Sequence, residues 1–232
     1  MSDTELLSAL RHITTATITT VLLKKGIRRT WMKGPQALAE RQERTAGRAF
    51  TLRFVPARED LATPASWSSP RSTRAAIEEM PEGCIAVIDA MGCTDAGVFG
   101  DILSQRMKVR GVAGLVTDGV MRDKVGVLET GLPVWCAGAA APASVAGLTF
   151  VGWQEPIGCG GIAVYPSDVI VADGDGAVVI PAALAEEVAR LGTEQEELEA
   201  WLMEEVKQGR ALPGLYPPND ETLARYRAQK KP

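Results

Sequence analysis

Short apolar segments alternate with a helical segment between residues 84 and 137, and this alternation restricts the fold more than any other feature of the sequence. Residues 84–89 (CIAVID) are apolar until they end in a carboxylate, residues 100–110 have a helical pattern, and residues 114–118 (GLVTD) are again short and apolar. Residues 133–137 continue the series. Strands that alternate with helices build α/β sheets. The sequence therefore predicts an α/β fold.

The segments before this core predict a helical N-terminus. Ser2 to Glu5 read as a capping box ahead of an apolar helical stripe. The threonine-rich residues 14–20 are poor helix-forming material. Residues 49–55 are expected to form a strand and residues 70–79 a helix.

The segments after the core predict short strands and then a long helix. Four strands are expected, at residues 149–151, 162–164, 169–172 and 177–180. A long amphipathic helix is predicted from Pro181 to about Gln208, because proline is favoured in the first helical turn. We expect residues 1–210 to form one domain, and residues 211–232 to form a C-terminal arm or tail.

Composition excludes several classes of function. The single histidine, His12, excludes histidine-rich zinc sites, so a metal would be a hard cation held by oxygen ligands. A net charge of −4 argues against binding to nucleic acid or to an anionic membrane. Four scattered cysteines and an N-terminus without signal-peptide character predict a reduced, cytoplasmic protein. The uncharged residues 132–154 are rich in alanine and glycine and predict packing inside the domain rather than a membrane span.

Two neighbouring segments could bind an anionic ligand. Gly97 and Gly100 precede a helix whose first turn has unpaired amides, which favours a carboxylate or phosphate. Arg122 and Asp123 follow a buried strand, at the end of the sheet where α/β proteins bind ligands. Each feature alone is typical of a solvated helix start or a tight turn, and only their combination favours a site.

Asp101, twenty intervening residues and then Arg122-Asp123 give a spacing that resembles the class II pyruvate aldolases related to the RraA proteins. That family includes the 4-hydroxy-4-methyl-2-oxoglutarate/4-carboxy-4-hydroxy-2-oxoadipate aldolases. Further matching segments are GRAFT at 47–51, GVAGLV at 111–116 and PSDVIVADGDG at 166–176. The resemblance extends roughly from residue 14 to residue 190.

The resemblance implies a single RraA-like domain of the β/β/α swivelling type, assembled as a trimer or a dimer of trimers with sites between subunits. It implies that Asp123 binds Mg²⁺ or Mn²⁺ and that Arg122 stabilises the enolate left after C–C cleavage. Asp101 would orient a water or substrate group, and the amides of Gly100, Asp101, Ile102 and Leu103 would hold the carboxylate of a 2-oxo acid. The implied activity is retro-aldol cleavage of a 4-hydroxy-2-oxo acid to pyruvate, with oxaloacetate decarboxylation as a side activity.

Two other functions stay open. RraA relatives include non-catalytic regulators that bind an RNA-degrading endonuclease. A hydratase or dehydratase acting on a 2-oxo-3-deoxy sugar acid would use the same enolate chemistry. Thr20 stands where many relatives have an aspartate, and Arg58, Glu59 and Asp60 belong to a distinctive loop that could line a sugar-acid pocket or be only a solvated loop.

Overall fold

The structure is a computed structural model that describes residues 1–230. The seven α-helices are α1 (Asp3–Leu10), α2 (Thr15–Lys24), α3 (Thr73–Glu79), α4 (Asp101–Val109), α5 (Lys124–Glu129), α6 (Ala185–Lys207) and α7 (Asp220–Gln229). The ten strands are β1 (Gln36–Ala37), β2 (Thr45–Pro56), β3 (Ile85–Asp89), β4 (Gly114–Thr117), β5 (Val134–Cys136), β6 (Leu148–Trp153), β7 (Ile157–Cys159), β8 (Ile162–Val164), β9 (Val169–Asp173) and β10 (Gly176–Ile180). Short 3-10 turns occur at Pro64–Ser68, Ser144–Ala146 and Ala182–Leu184. The predicted α/β fold with a helical N-terminus and a long C-terminal helix is confirmed.

The main sheet has the order β1-β5-β4-β3-β2-β9-β10, and β6 also pairs with β2. Strands β2 to β5 run parallel to one another, while β9 and β6 are antiparallel to the two halves of β2. A bridge between Trp31 and Val178 brings the two ends of the sheet close, so the sheet is nearly closed. The long strand β2 therefore joins the parallel part to the antiparallel part.

Three apolar clusters hold these layers together. One lies between the parallel strands and α3 to α5, and it includes Phe54, Phe99 and Met107. A second packs α1, α2 and α6 on β9 and β10, and a third fills the interior around Trp135. Helices α4 and α5 are fixed on one face of the parallel strands, which places their N-termini at the carboxyl edge of that sheet.

The prediction that residues 14–20 are poor helix material was wrong. They belong to α2, with Thr14 as N-cap accepting a hydrogen bond from the amide of Thr17. Ile18 and Leu22 of this helix are fully buried against the second cluster. Burial of this apolar face outweighs the weak helix propensity of threonine.

The C-terminal residues fold back on the domain. Asn219 caps α7, and Trp201 of α6 contacts Tyr226 of α7 with ring centroids 5.5 Å apart. The division of the chain at residue 210 stays a prediction, but residues 220–229 within the expected tail are helical.

No single helix within residues 1–230 has the length and apolar character needed to cross a membrane. The bent pair α1–α2, with 107° between its helices, meets that criterion only on length and composition.

Candidate functional site

The loop before α4 lies against the segment that follows β4. The amide of Val98 donates to the carbonyl of Val120 at 2.8 Å, and the amide of Arg122 donates to the carbonyl of Phe99 at 2.9 Å. A Cβ on Gly97 would lie 2.7 Å from the amide nitrogen of Arg122. Glycine at position 97 thus permits the close approach that brings the two predicted halves of the site together.

The N-terminus of α4 presents amide groups to this site. Gly100 is the N-cap and supplies no side-chain acceptor, while the amide of Ile102 donates to Oδ1 of Asp101 at 2.7 Å. The side chain of Ile102 is exposed, and Asp101 and Leu103 are half-buried. Amides of a first helical turn, together with the helix dipole, favour an anion.

Asp123 has a left-handed backbone conformation. Its φ is 53° and its ψ is 46°, and it precedes α5 without making a side-chain cap hydrogen bond. Aspartate tolerates this region better than most residues, but the conformation is still less favourable than right-handed backbone. Strained backbone of this kind is concentrated at functional sites, and here it sets the direction of the Asp123 carboxylate.

Arg122 has an unsatisfied donor beside that carboxylate. Its Nε is buried and has no hydrogen-bond partner within residues 1–230, and it lies 3.5 Å from Oδ2 of Asp123. Buried polar atoms without a partner are rare, and a ligand oxygen is one way to satisfy them. The guanidinium group is therefore available to an anionic oxygen.

These groups line one cavity of about 280 Å³. All six residues predicted for the site line it: Gly100, Asp101, Ile102, Leu103, Arg122 and Asp123. We call this cavity the reaction cleft. The catalytic and binding roles assigned to these residues stay predictions, but the structure brings all of them together.

Two glycines lie against the carboxylates of Asp101 and Asp123. A Cβ on Gly100 would lie 2.8 Å from Oδ2 of Asp123, and a Cβ on Gly126 of α5 would lie 2.9 Å from Cβ of Asp101. The absence of side chains at both positions leaves room around the two carboxylates. It also allows the first turns of α4 and α5 to pack closely.

The described residues contain no group of three or more histidine, cysteine, aspartate or glutamate side chains that could hold a metal ion. Asp123 is a single carboxylate whose Oδ2 is kept open by Gly100. Mg²⁺ often binds proteins through one or two carboxylates and completes its shell with water and substrate oxygens. The donor set of this chain fits such a partial site, with Asp123 as the protein ligand.

A buried carboxylate, Asp118, directly follows β4 but lies outside the reaction cleft. Asp118 accepts hydrogen bonds from the amides of Ala90 at 2.8 Å and Gly160 at 3.0 Å. Burial raises the pKa of Asp118 above its ordinary value, and the nearby Asp89 raises it further. Its contacts give it a structural role, joining the β7–β8 hairpin to the parallel strands.

Sequence analysis missed two side chains of the cleft, Trp67 and Arg74. The guanidinium carbon of Arg74 lies 5.1 Å from the centroid of the Trp67 ring, and both residues line the reaction cleft. The unusual loop segment WSSPR at 67–71 was the only signal, and it did not reveal the position of α3.

A second cavity, of about 410 Å³, lies next to the reaction cleft under the distinctive loop. The two cavities share three lining residues, Trp67, Thr73 and Ser144. Asp60 lines this second cavity in its own chain, whereas Arg58 binds Asp60 and is not among its lining residues. Glu59 and Thr20 line neither cavity: Glu59 is exposed, and the Thr20 hydroxyl donates to the carbonyl of Ala16 at 3.0 Å.

The architecture and the cleft define a mixed α/β domain with a cavity beyond the ends of its parallel strands. The model of the RraA-like family (Aldolase/RraA) matches residues 15–179. The chain therefore belongs to the RraA-like family, as the sequence resemblance predicted.

Similar proteins in this family carry different functional names. A Halalkalibacterium halodurans protein named "Putative 4-hydroxy-4-methyl-2-oxoglutarate aldolase" is 38% identical over 114 residues, which cover 49% of this chain and 53% of that protein. The chain thus spans about half the length of this curated relative.

Two solved structures share the fold over most of the chain. RraAS2 of Streptomyces coelicolor, described as an unusual member of the RNase ES inhibitor RraA protein family, has 36% identity and a TM-score of 0.77. That match covers 90% of this chain and 98% of the other. A protein from Pseudomonas syringae has 27% identity and a TM-score of 0.79, covering 92% and 97% of the two chains.

Proposed function

We propose that the protein is a divalent-metal-dependent lyase that cleaves a 4-hydroxy-2-oxo acid by a retro-aldol reaction and releases pyruvate. The observation that carries this proposal is the position of the Asp123 carboxylate, which makes no cap hydrogen bond, 3.5 Å from the Nε of Arg122, which is buried and has no hydrogen-bond partner among residues 1–230. Both lie in the cleft that contains the N-terminus of α4. The name of the 38% identical Halalkalibacterium halodurans protein supports the same reaction class.

Some groups of the protein would bind the substrate, and others would stabilise the charge that develops during the reaction. The first-turn amides of α4 at Gly100, Asp101 and Leu103 would bind the carboxylate of the 2-oxo acid, whereas that of Ile102 already donates to Asp101. Arg122 would donate to the C2 oxygen of the substrate, where negative charge develops. Asp101 uses one oxygen on the amide of Ile102, so its second oxygen is left to orient a water or a substrate hydroxyl.

The reaction breaks one carbon–carbon bond. The C4 hydroxyl loses its proton through a water that Asp101 orients, and the C4–O electrons form the carbonyl of the leaving fragment. The C3–C4 electron pair passes to C3 and the C2 oxygen, which gives the enolate of pyruvate. A proton from solvent then adds to C3 and completes pyruvate.

Mg²⁺ or Mn²⁺ bound through Asp123 would supply Lewis-acid stabilisation of the negative charge on the substrate oxygens. With oxaloacetate, loss of the C4 carboxylate as CO₂ leaves the same electron pair on C3 and the C2 oxygen. We therefore also propose oxaloacetate decarboxylation as a side activity.

The working form is proposed to be a trimer or a dimer of trimers with the site between subunits. Ile102 in the cleft and Val125 of α5 are 79% and 70% exposed, and exposed apolar side chains favour cover by another copy of the chain. Light scattering on the purified protein measures this assembly directly.

We propose a reducing, cytoplasmic setting for the protein, which the four free cysteines support.

The test is pyruvate release from oxaloacetate, coupled to lactate dehydrogenase, with Mg²⁺, with Mn²⁺ and with excess EDTA. We expect metal-dependent turnover that Asp123→Asn abolishes, because asparagine tolerates the left-handed backbone but loses the anionic ligand. Asp95→Asn, at an exposed position outside the cleft, serves as the matched control. Turnover that EDTA and Asp123→Asn leave unchanged would contradict the proposal.

A second candidate function is regulation of an RNA-degrading endonuclease. The 36% identity to RraAS2 over 98% of that chain favours it. Stoichiometric binding of such a nuclease, together with no pyruvate release from any 4-hydroxy-2-oxo acid, would make it the better description. A third candidate is hydration or dehydration of a 2-oxo-3-deoxy sugar acid. It predicts a product that differs from the substrate by one molecule of water, with no release of pyruvate.

A further inference from the structure

The second cavity is lined mainly by hydroxyl and aromatic side chains. Seven of its lining residues carry hydroxyl groups. The aromatic walls are formed by the half-buried Trp67 and Phe150 and the buried Phe54. Binding pockets for small organic ligands combine apolar walls with a few placed polar groups. The size and lining of this cavity fit that pattern.

Several of these hydroxyl groups have an O–H that is available as a hydrogen-bond donor. The oxygen of Thr149 accepts from the amide of Arg58 at 2.9 Å, that of Ser69 accepts from the amide of Arg71 at 3.1 Å, and that of Ser72 accepts from the amide of Ala75 at 3.3 Å. A hydroxyl that accepts a bond keeps its own O–H as a donor. The cavity thus offers O–H donors at fixed positions.

The two charged residues that line the second cavity, Asp60 and Arg71, are already paired. Arg58 donates twice to Asp60, at 2.8 and 2.7 Å, and these hydrogen bonds lower the pKa of Asp60. Arg71 donates to the carbonyl of Val151 at 2.9 Å and lies 3.4 Å from Glu155. The lining therefore has no unpaired cation for a second carboxylate or a phosphate, and it favours a neutral polar group.

The second cavity adjoins the reaction cleft. Trp67, Thr73 and Ser144 line both spaces, so the second cavity lies on the side of the cleft that these three residues form. The stacking of Arg74 on Trp67 fixes the aromatic wall between them.

We propose that the second cavity binds the tail of the substrate and selects 2-oxo acids whose carbons beyond C4 carry neutral hydroxyl groups over 2-oxo dicarboxylic acids. This inference rests on the proposed function, since it assumes that the 2-oxo acid end occupies the reaction cleft. Hydroxyl groups of the tail would bond with Ser69, Ser72 and Thr149, and the carbon chain would pack on Trp67 and Phe150.

The test compares three six-carbon acids that lack a C4 hydroxyl and so cannot undergo retro-aldol cleavage. They are 2-oxohexanoate, 5,6-dihydroxy-2-oxohexanoate and 2-oxoadipate, which differ only in an apolar, hydroxylated or anionic tail. Their dissociation constants are measured by calorimetry with the full chain in the presence of Mg²⁺. We expect the dihydroxy acid to bind about tenfold more tightly than the other two, from two added hydrogen bonds.

Variants separate recognition of the tail from damage to the fold. Thr149→Val and Ser69→Ala should reduce the tenfold advantage of the dihydroxy acid to about twofold or less while the affinity for 2-oxohexanoate changes little. Thr94→Val, at an exposed position outside both cavities, is the control and should keep the full advantage. Equal loss for all acids in Thr149→Val and Ser69→Ala would show a purely structural role and overturn the inference.

The result is independent of turnover. Tightest binding of 2-oxoadipate, or equal binding of all three acids, would overturn the inference even if the protein releases pyruvate from oxaloacetate. A hydroxyl preference without any pyruvate release would support the tail site and contradict the lyase reaction instead.

Discussion

Gly100 and Asp123 are in contact across the reaction cleft, although they belong to different helix–strand units. A Cβ on Gly100 would lie 2.8 Å from Oδ2 of Asp123, closer than real Cβ contacts allow. The backbone of Gly100 thus determines how much space is left for the carboxylate of Asp123. Any atom added there must displace the group proposed to bind the metal.

Gly100→Ala should therefore reduce the metal-dependent release of pyruvate from oxaloacetate. We expect a loss of about 10- to 100-fold, because the Asp123 side chain must rotate away from its position and catalytic groups tolerate little displacement. The loss should be accompanied by a weaker apparent affinity for Mg²⁺, measured by titration of activity.

Gly174→Ala is the matched control, because a Cβ at position 174 meets nothing within 4 Å and the backbone there does not require glycine. It should keep full activity. An active Gly100→Ala variant with unchanged Mg²⁺ affinity would show that Asp123 is not the ligand.

The reaction cleft was predictable because its parts are local. Residues 101–103 start a helix, and residues 122–123 lie between strand β4 and helix α5, so their type and spacing were visible in the sequence. Parallel strands then bring those ends together. The second cavity was not predictable in this way, because Thr149 lies on β6, whose pairing with β2 joins residues about one hundred positions apart.

Helices α2 and α7 were not predicted from the sequence, and the physical reason differs between the two. In α2 the threonines lower helix propensity, and only burial of Ile18 and Leu22 in the folded domain compensates. In α7 few side chains are apolar, and the helix is held by contacts such as Trp201 with Tyr226. Neither compensation is visible in a local pattern.

Thr15→Val should destabilise the protein in a pH-dependent way. The hydroxyl of Thr15 donates to Oδ1 of the buried Asp173 at 2.7 Å, and its amide donates to Oδ2 at 2.9 Å. Burial raises the pKa of Asp173, but these hydrogen bonds and nearby Arg44 outweigh burial and lower it below its ordinary value of 3.8. We expect a loss of about 1–2 kcal/mol in the free energy of unfolding at pH 7.

The sign of the pH dependence follows from that lowered pKa. Stabilisation by the Asp173 anion is complete above the ordinary pKa and is lost as the pH falls through the value in the folded protein. The difference between wild type and Thr15→Val should therefore shrink in urea titrations below about pH 4. Thr20→Val, on the exposed face of the same helix, should show no such trend.

Only one of the four cysteines should react rapidly with Ellman's reagent in the folded protein. Burial raises the pKa of Cys84 to about 12 and also raises the pKa of Cys136 and Cys159, so these thiols are both inaccessible and protonated. Cys93 is half-buried and is the expected reactive group. At pH 8 we expect one fast equivalent, four in denaturant, and none that is fast in Cys93→Ser; two fast equivalents in the native protein would contradict this burial pattern.

Glu205→Gln should release α7 from the domain. Glu205 is 5% exposed and pairs with both Arg210 and Arg225, and Arg225 also lies 5.3 Å from the centroid of the Trp201 ring. Loss of the charge leaves two arginines without their shared partner, and we expect a cost of about 1–2 kcal/mol in the free energy of unfolding, since both arginines keep some contact with water.

The measurement is limited proteolysis, in which trypsin should cut within residues 210–227 faster in the variant than in the wild type. Glu204→Gln, which removes only an exposed pair with Lys207, is the control and should be cut at the wild-type rate. Equal cleavage of Glu205→Gln and Glu204→Gln would mean that apolar packing alone, chiefly of Trp201 on Tyr226, holds α7 in place.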